Sequence, residues 1–178
     1  MATTATQRGL AGEQLFAATV TLTSDGELEL FKPLIDDDHT DIDVGPRGAI
    51  PALAIQVKTA LRLDRSGLAV ARAFYPGQPR QHPRFIYAVL YVEEAAVHTA
   101  WLVPSSGFNR LAYRGAGPKG HGVELEFMAS PVREDRWAPF RCARMEVGAN
   151  LLRTIHSLRT GKVPALPGSH VLYRRPPS

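Results

Sequence analysis

The sequence predicts an α+β or α/β domain built on a mixed β-sheet that is flanked by helices. An amphipathic helical pattern opens the chain, short alternating apolar segments fill its middle, and a second amphipathic pattern closes it. This order of elements is typical of a sheet with helices packed against it. The closing pattern runs from Gly148 to Leu158. The opening pattern places these residues on one helix face: Gly12, Leu15, Phe16, Thr19 and Val20.

The middle of the chain predicts strands separated by turns and loops. Strands are predicted at residues 28–33, 41–44, 52–61, 85–92, 99–103 and 123–128, and residues 67–74 are expected to extend the same sheet. The segment Gly45-Pro46-Arg47-Gly48 is rich in turn formers, so it predicts a hairpin between residues 41–44 and 52–61. Loops are predicted at residues 76–83 and 115–122, and a short helix within residues 105–114.

The 178 residues suit one folded domain, expected over residues 1–161, followed by a proline-rich basic tail at residues 162–178. Cys142 is the only cysteine, so an internal disulfide is excluded. No apolar run is long enough to span a bilayer, and residues 1–8 lack the pattern of a signal peptide. We therefore expect a cytoplasmic protein without a membrane partner.

Charge is unevenly distributed along the chain, whose net charge is +4. Residues 25–43 are rich in aspartate and glutamate, whereas residues 62–84 are rich in arginine and include Arg72, Arg80 and Arg84. A metal needs carboxylates and a nucleic-acid backbone needs cations, so this pairing is typical of an enzyme that acts on phosphodiesters. The arginines could equally belong to an ordinary solvated surface, and both interpretations stay open.

The predicted strand at residues 52–61 carries polar groups in an otherwise apolar segment. Because side chains alternate along a strand, Gln56 and Lys58 share the face opposite to the apolar residues. The hairpin brings Asp41 and Asp43 beside them, and these oxygen donors suit Mg²⁺ or Mn²⁺. The alternative is an open, solvated face on which Lys58 pairs with one of the aspartates.

Two segments carry a resemblance to a known family. Asp41-Ile42-Asp43-Val44, a turn, and Ile55-Gln56-Val57-Lys58-Thr59 together resemble the PD-(D/E)XK nuclease superfamily, and Gly12-Glu13 resembles the glycine-glutamate pair on the leading helix of many members. The resemblance covers residues 9–59. It departs from the usual pattern at Thr40, which replaces a proline, and at Gln56, which replaces an acidic residue.

The resemblance implies a restriction-endonuclease-like core and a metal-dependent endonuclease that cleaves nucleic acid, with DNA as the expected substrate. It implies Mg²⁺ or Mn²⁺ bound by Asp41, Gln56 and the Val57 carbonyl, with Glu13 or Asp43 adding charge. Lys58 would act on the attacking water or the phosphate. Cutting both strands of a duplex often needs two sites, so a homodimer is open.

Two alternatives follow from the neutral side chain of Gln56. The first is a catalytically inactive module of the same fold that binds nucleic acid or a protein partner. The second is a structural protein in which the Gln-Val-Lys string is accidental.

Overall fold

The structure, a computed structural model, describes residues 4–33 and 39–161. Within these residues the helices are α1 (Ala5–Thr23), α2 (Ser105–Leu111) and α3 (Val147–Arg159). The strands are β1 (Leu28–Phe31), β2 (Ile42–Pro46), β3 (Leu53–Ala60), β4 (Ala69–Tyr75), β5 (Phe85–Glu93), β6 (Ala96–Pro104), β7 (Tyr113–Ala116), β8 (Val123–Ala129) and β9 (Arg141–Ala143). Short 3₁₀ turns lie at Pro118–Gly120, Ala138–Phe140 and Arg144–Glu146.

The strands form two sheets. The larger has six strands in the order β1-β2-β3-β5-β6-β9, and the smaller has three in the order β4-β8-β7. The large sheet is mixed, because β3 and β5 run parallel while its other neighbours are antiparallel. The predicted α+β class with a mixed sheet is confirmed.

The two faces of the large sheet are covered by different layers. On one face, the apolar sides of α1 and α3 pack against β3 and β5 through residues such as Phe16, Leu151, Ile55 and Leu90. On the other face, the small sheet and α2 enclose an aromatic core that includes Trp101. Strand β5 is buried on both faces from Phe85 to Val92, which explains its continuous apolar sequence.

Helix α1 has defined ends and approaches the sheet closely. Thr4 caps its first turn: the Thr4 hydroxyl accepts from the Gln7 N–H, and the Gln7 side chain accepts from the Thr4 N–H. Ser24 ends the helix, and Gly26 follows with φ +71°. Gly12 faces β3 so closely that an added Cβ would lie 1.8 Å from the Thr59 hydroxyl oxygen. The glycine therefore sets how near α1 lies to the end of β3.

Three sequence-based expectations need correction. Residues 67–74 do not extend the large sheet, because β4 pairs with β8 in the small one. The predicted loop at 115–122 contains the end of β7 and a 3₁₀ turn, since Gly115 and Ala116 pair with β8. Strand β9 was not predicted, because its three residues are too short to show alternation.

The predicted proline-rich tail at residues 162–178 lies outside the described residues. Within the described part of the chain, no helix is both long and apolar enough to cross a membrane.

Candidate functional site

Asp41 is held against the edge of β3, immediately before β2 begins. The β2–β3 pairing ends at Ile42 opposite Ile55, one residue after Asp41 and one residue before Gln56. The Asp41 N–H donates to the Ile55 carbonyl at 2.9 Å. The Asp41 Oδ2 atom accepts from the Val57 N–H at 2.6 Å. The backbone of β3 thereby fixes the position of this carboxylate.

Gln56 is buried, with 4% of its surface exposed, and its side chain is hydrogen-bonded. Its Oε1 atom accepts from the Tyr75 hydroxyl at 2.8 Å, and that hydroxyl also bonds to the hydroxyl of Tyr87. Burial raises the pKa of Tyr75; Tyr87 and Arg80 lower it, and the charge of Asp41 raises it further. The candidate site is therefore backed by two buried phenols.

Lys58 lies two residues after Gln56 on β3. Alternation along the strand sends both side chains to the same face of the sheet. Lys58 is half-buried, and it forms no hydrogen bond or ion pair with another residue in the described ranges. Its ammonium group is therefore available to a ligand at this face.

Glu13, on α1, is paired with a lysine that the sequence did not single out. The Lys32 Nζ atom lies 2.8 Å from the Glu13 Oε2 atom, and the two side chains are 62% and 20% exposed. The hydrogen bond and charge of Glu13 raise the pKa of Lys32, and Asp41 adds a smaller effect of the same sign. Lys32 thus lies within the electrostatic range of both carboxylates.

Asp43 and Arg80 form a second charged group beside the hairpin. Burial raises the pKa of Asp43, and the positive charge of Arg80 partly offsets that rise. Arg80 donates to the Thr40 hydroxyl at 2.8 Å, and its guanidinium lies 4.5 Å from the centre of the Phe85 ring. Arg80 therefore lies close to the segment that carries Asp41.

The other two predicted arginines lie on different elements. Arg72 is on the outer face of β4, where it pairs with Glu126 at 2.7 Å and with Glu124 at 3.8 Å. Arg84 is exposed just before β5, and its carbonyl accepts from Ala54 at 2.8 Å. The sequence grouped three arginines, whereas the fold places Arg72 on the small sheet.

The donor atoms around Asp41 suit a hard divalent cation. The Asp41 carboxylate and the Gln56 carbonyl are oxygen donors, and the Val57 carbonyl points to the same strand edge as the Val57 N–H that Asp41 caps. Over residues 4–33 and 39–161, no three histidine, cysteine, aspartate or glutamate side chains group closely enough to hold a metal. The donors that fit a divalent cation here are therefore the Asp41 carboxylate and the neutral carbonyl oxygens of Gln56 and Val57.

Tyr75, Tyr87 and Lys32 were not predicted as site residues from the sequence. Ala69, Ala71, Ala73 and Tyr75 form the buried face of β4, so the phenol follows three small residues on that face. That change from small residues to a ring with a polar tip is the signal that could have identified Tyr75. Tyr87 and Lys32 carry no comparable signal.

The comparisons with known proteins establish the fold. No protein-family model matches this chain. No curated protein matches it either. Among solved structures, it is similar to the bacterial homing endonuclease I-Ssp6803I, with 18% sequence identity and a TM-score of 0.58, over 90% of this chain and 100% of that chain. The chain therefore has the fold of a bacterial homing endonuclease.

Proposed function

We propose that this protein is a metal-dependent endonuclease of the PD-(D/E)XK type, in its Gln-x-Lys form, and that it hydrolyses DNA phosphodiesters. One observation supports the proposal most directly: the Val57 N–H fixes the Asp41 carboxylate at the edge of β3, and the residues on either side of Val57, Gln56 and Lys58, share one face of the sheet. The fold shared with a homing endonuclease supports it.

The residues have distinct roles in this proposal. Asp41, Gln56 and the Val57 carbonyl hold Mg²⁺ or Mn²⁺ as oxygen donors. The bound cation supplies positive charge that stabilises the phosphate and favours ionisation of water. Lys58 donates hydrogen bonds to the phosphate oxygens on which charge develops.

Glu13 and Asp43 contribute negative charge near this group without an assigned contact to the cation. Glu13 is engaged by Lys32 at 2.8 Å, so it takes part only if that pair opens. Asp43 is partly buried beside Arg80, so its charge already has a cation nearby.

The arginines act on the substrate backbone in this proposal. Arg80 lies beside the hairpin and Arg84 is exposed, so both can contact phosphates near the site. Arg72 lies on the outer face of the small sheet, so its contribution is expected to be smaller.

A second candidate function is a binding module that does not cleave. It is favoured by the Glu13–Lys32 pair, which occupies the carboxylate that would offset the missing charge of Gln56. Such a module would bind nucleic acid or a protein partner through the same surface.

The two candidates are separated by incubating the full chain with supercoiled plasmid and with single-stranded DNA or RNA, each with Mg²⁺, Mn²⁺ or EDTA. The nuclease proposal expects cutting that needs the metal and stops in EDTA. Binding of nucleic acid without cutting under any metal would favour the module. Equal cutting with and without EDTA would exclude the metal-dependent mechanism.

A further inference from the structure

The buried hydroxyls of Tyr75 and Tyr87 lie behind Gln56, and the proposed mechanism assigns no role to them. Tyr75 ends β4 in the small sheet, Tyr87 is in β5 of the large sheet, and both are at most 2% exposed. The Tyr87 ring is stacked on Phe108 with centroids 3.8 Å apart and meets the edge of Phe85 at 5.2 Å. This packing holds the Tyr87 hydroxyl in place.

The orientation of the Gln56 amide decides whether an oxygen or an NH₂ group lies next to Tyr75. The two ends of an amide have nearly the same shape, so the hydrogen bonds must select between them. A carbonyl oxygen has two lone pairs, so the Oε1 atom can accept from Tyr75 and still face a cation. An NH₂ group at the same point would repel that cation.

The hydroxyl protons of the two tyrosines favour the orientation that places the amide oxygen next to Tyr75. If Tyr87 donates to Tyr75, then Tyr75 donates to the Gln56 Oε1 atom, and both hydroxyl protons are paired. With the amide reversed, its NH₂ would donate to Tyr75, and Tyr75 would donate to Tyr87. The Tyr87 proton would then have no acceptor among the described residues, which is costly for a fully buried donor.

We propose that Tyr75, held by Tyr87, is a positioning residue that keeps the carbonyl oxygen of Gln56 available to the metal. This inference rests on the proposed function. It also gives the small sheet a role in the site, since Tyr75 reaches Gln56 from that sheet. A glutamate at position 56 would not need a tyrosine to orient it, because either carboxylate oxygen can face the cation.

The test compares the effect of Tyr75→Phe in two backgrounds, the natural chain and Gln56→Glu. The Mn²⁺ affinity of the full chain is measured by titration calorimetry, and thermal melting checks that each variant is folded. We expect Tyr75→Phe to weaken Mn²⁺ binding by about tenfold with Gln56, as for other groups that orient a metal ligand. In the Gln56→Glu background, the same change should alter affinity by less than about twofold.

Tyr87→Phe is the second variant, and it decides the question if Tyr75→Phe does not fold. This substitution leaves the Tyr75–Gln56 contact in place. It removes the Tyr87 hydroxyl, which makes the two orientations of the Gln56 amide unequal in free energy. The Mn²⁺ affinity of the protein with Gln56 should fall in proportion to the fraction of molecules in which the amide is reversed. The Mn²⁺ affinity of the Gln56→Glu protein should not change. Tyr91→Phe is the control, because the Tyr91 hydroxyl bonds to Glu93 at the far end of β5, at 2.9 Å.

The outcomes separate this proposal from the nuclease proposal. If the natural chain binds Mn²⁺ and cleaves DNA, but the tyrosine variants lose affinity equally in both backgrounds, the tyrosines are structural and the positioning role is overturned. Unchanged affinity with Gln56 overturns it as well. If the natural chain binds no Mn²⁺, the metal-dependent function fails, and the positioning role fails with it.

Discussion

At the scale of single residues, Lys58 brings a positive charge to a half-buried position beside Gln56. A ligand of opposite sign is attracted to this charge. In the proposed mechanism that ligand is the reacting phosphate, whose charge grows towards the transition state. Lys58 should therefore affect the rate of cleavage far more than the binding of metal.

We predict that Lys58→Met lowers the cleavage rate by about a hundredfold or more, as expected for loss of a single electrostatic stabiliser. Mn²⁺ affinity should not fall, because an ammonium group does not coordinate a metal. Cleavage kinetics and calorimetry measure the two effects separately. Lys119→Met is the control, since Lys119 lies on an exposed 3₁₀ turn. A loss of metal binding in Lys58→Met would contradict the assigned role.

At the scale of elements, Gly12 sets the distance between α1, which carries Glu13, and β3, which carries Gln56 and Lys58. Gly12 allows a close approach, because it lies against Thr59, whose hydroxyl is buried without a hydrogen-bond partner in the described part of the chain. A side chain at position 12 must push the helix away or displace Thr59. The distance between α1 and β3 therefore depends on one glycine.

We predict that Gly12→Ala destabilises the protein by about 1–3 kcal/mol, the usual cost of overpacking. Gly9→Ala is the matched control on the same helix: nothing lies within 4 Å of its added Cβ, so it should stabilise by about 0.5–1 kcal/mol. Urea unfolding followed by circular dichroism measures both. Adding Thr59→Ala to Gly12→Ala should recover part of the loss. Equal effects of the two glycine substitutions would show that the contact does not matter.

The elements also show how far the sequence could predict the site. Alternation in residues 53–58 and the turn at 45–48 were enough to predict the β2–β3 hairpin and the shared face of Gln56 and Lys58. The same alternation could not assign residues 69–75 to a second sheet, since a period of two shows which face is buried but not which strand lies beside it. Tyr75 was missed for that reason, because its contact with Gln56 joins two sheets. Lys32 was missed because its partner lies 19 residues away on a helix.

At the scale of the whole molecule, charge is arranged around the hairpin rather than along one continuous surface. Arg80 lies beside the segment of Asp41, whereas Arg72 is paired with glutamates on the outer face of the small sheet. If DNA lies across the candidate site, the two arginines should contribute unequally to binding.

We predict that Arg80→Ala weakens DNA binding and reduces the slope of log affinity against log salt concentration by about one unit, as for the loss of one phosphate contact. Arg72→Ala should leave that slope nearly unchanged, because Arg72 lies on the outer face of the small sheet, which is turned away from the large sheet. Fluorescence anisotropy at several salt concentrations measures both slopes. Equal slopes for the two variants would place the DNA elsewhere on the molecule.

The most direct test of the nuclease account is plasmid cleavage by Asp41→Asn in Mg²⁺. An asparagine keeps an oxygen that can accept from the Val57 N–H, which Asp41 caps at 2.6 Å, so the hairpin should remain folded while the charge is lost. The account predicts that the natural chain cuts in Mg²⁺ and not in EDTA, and that Asp41→Asn melts at a similar temperature but does not cut. Metal-dependent cutting by folded Asp41→Asn at the rate of the natural chain would contradict it.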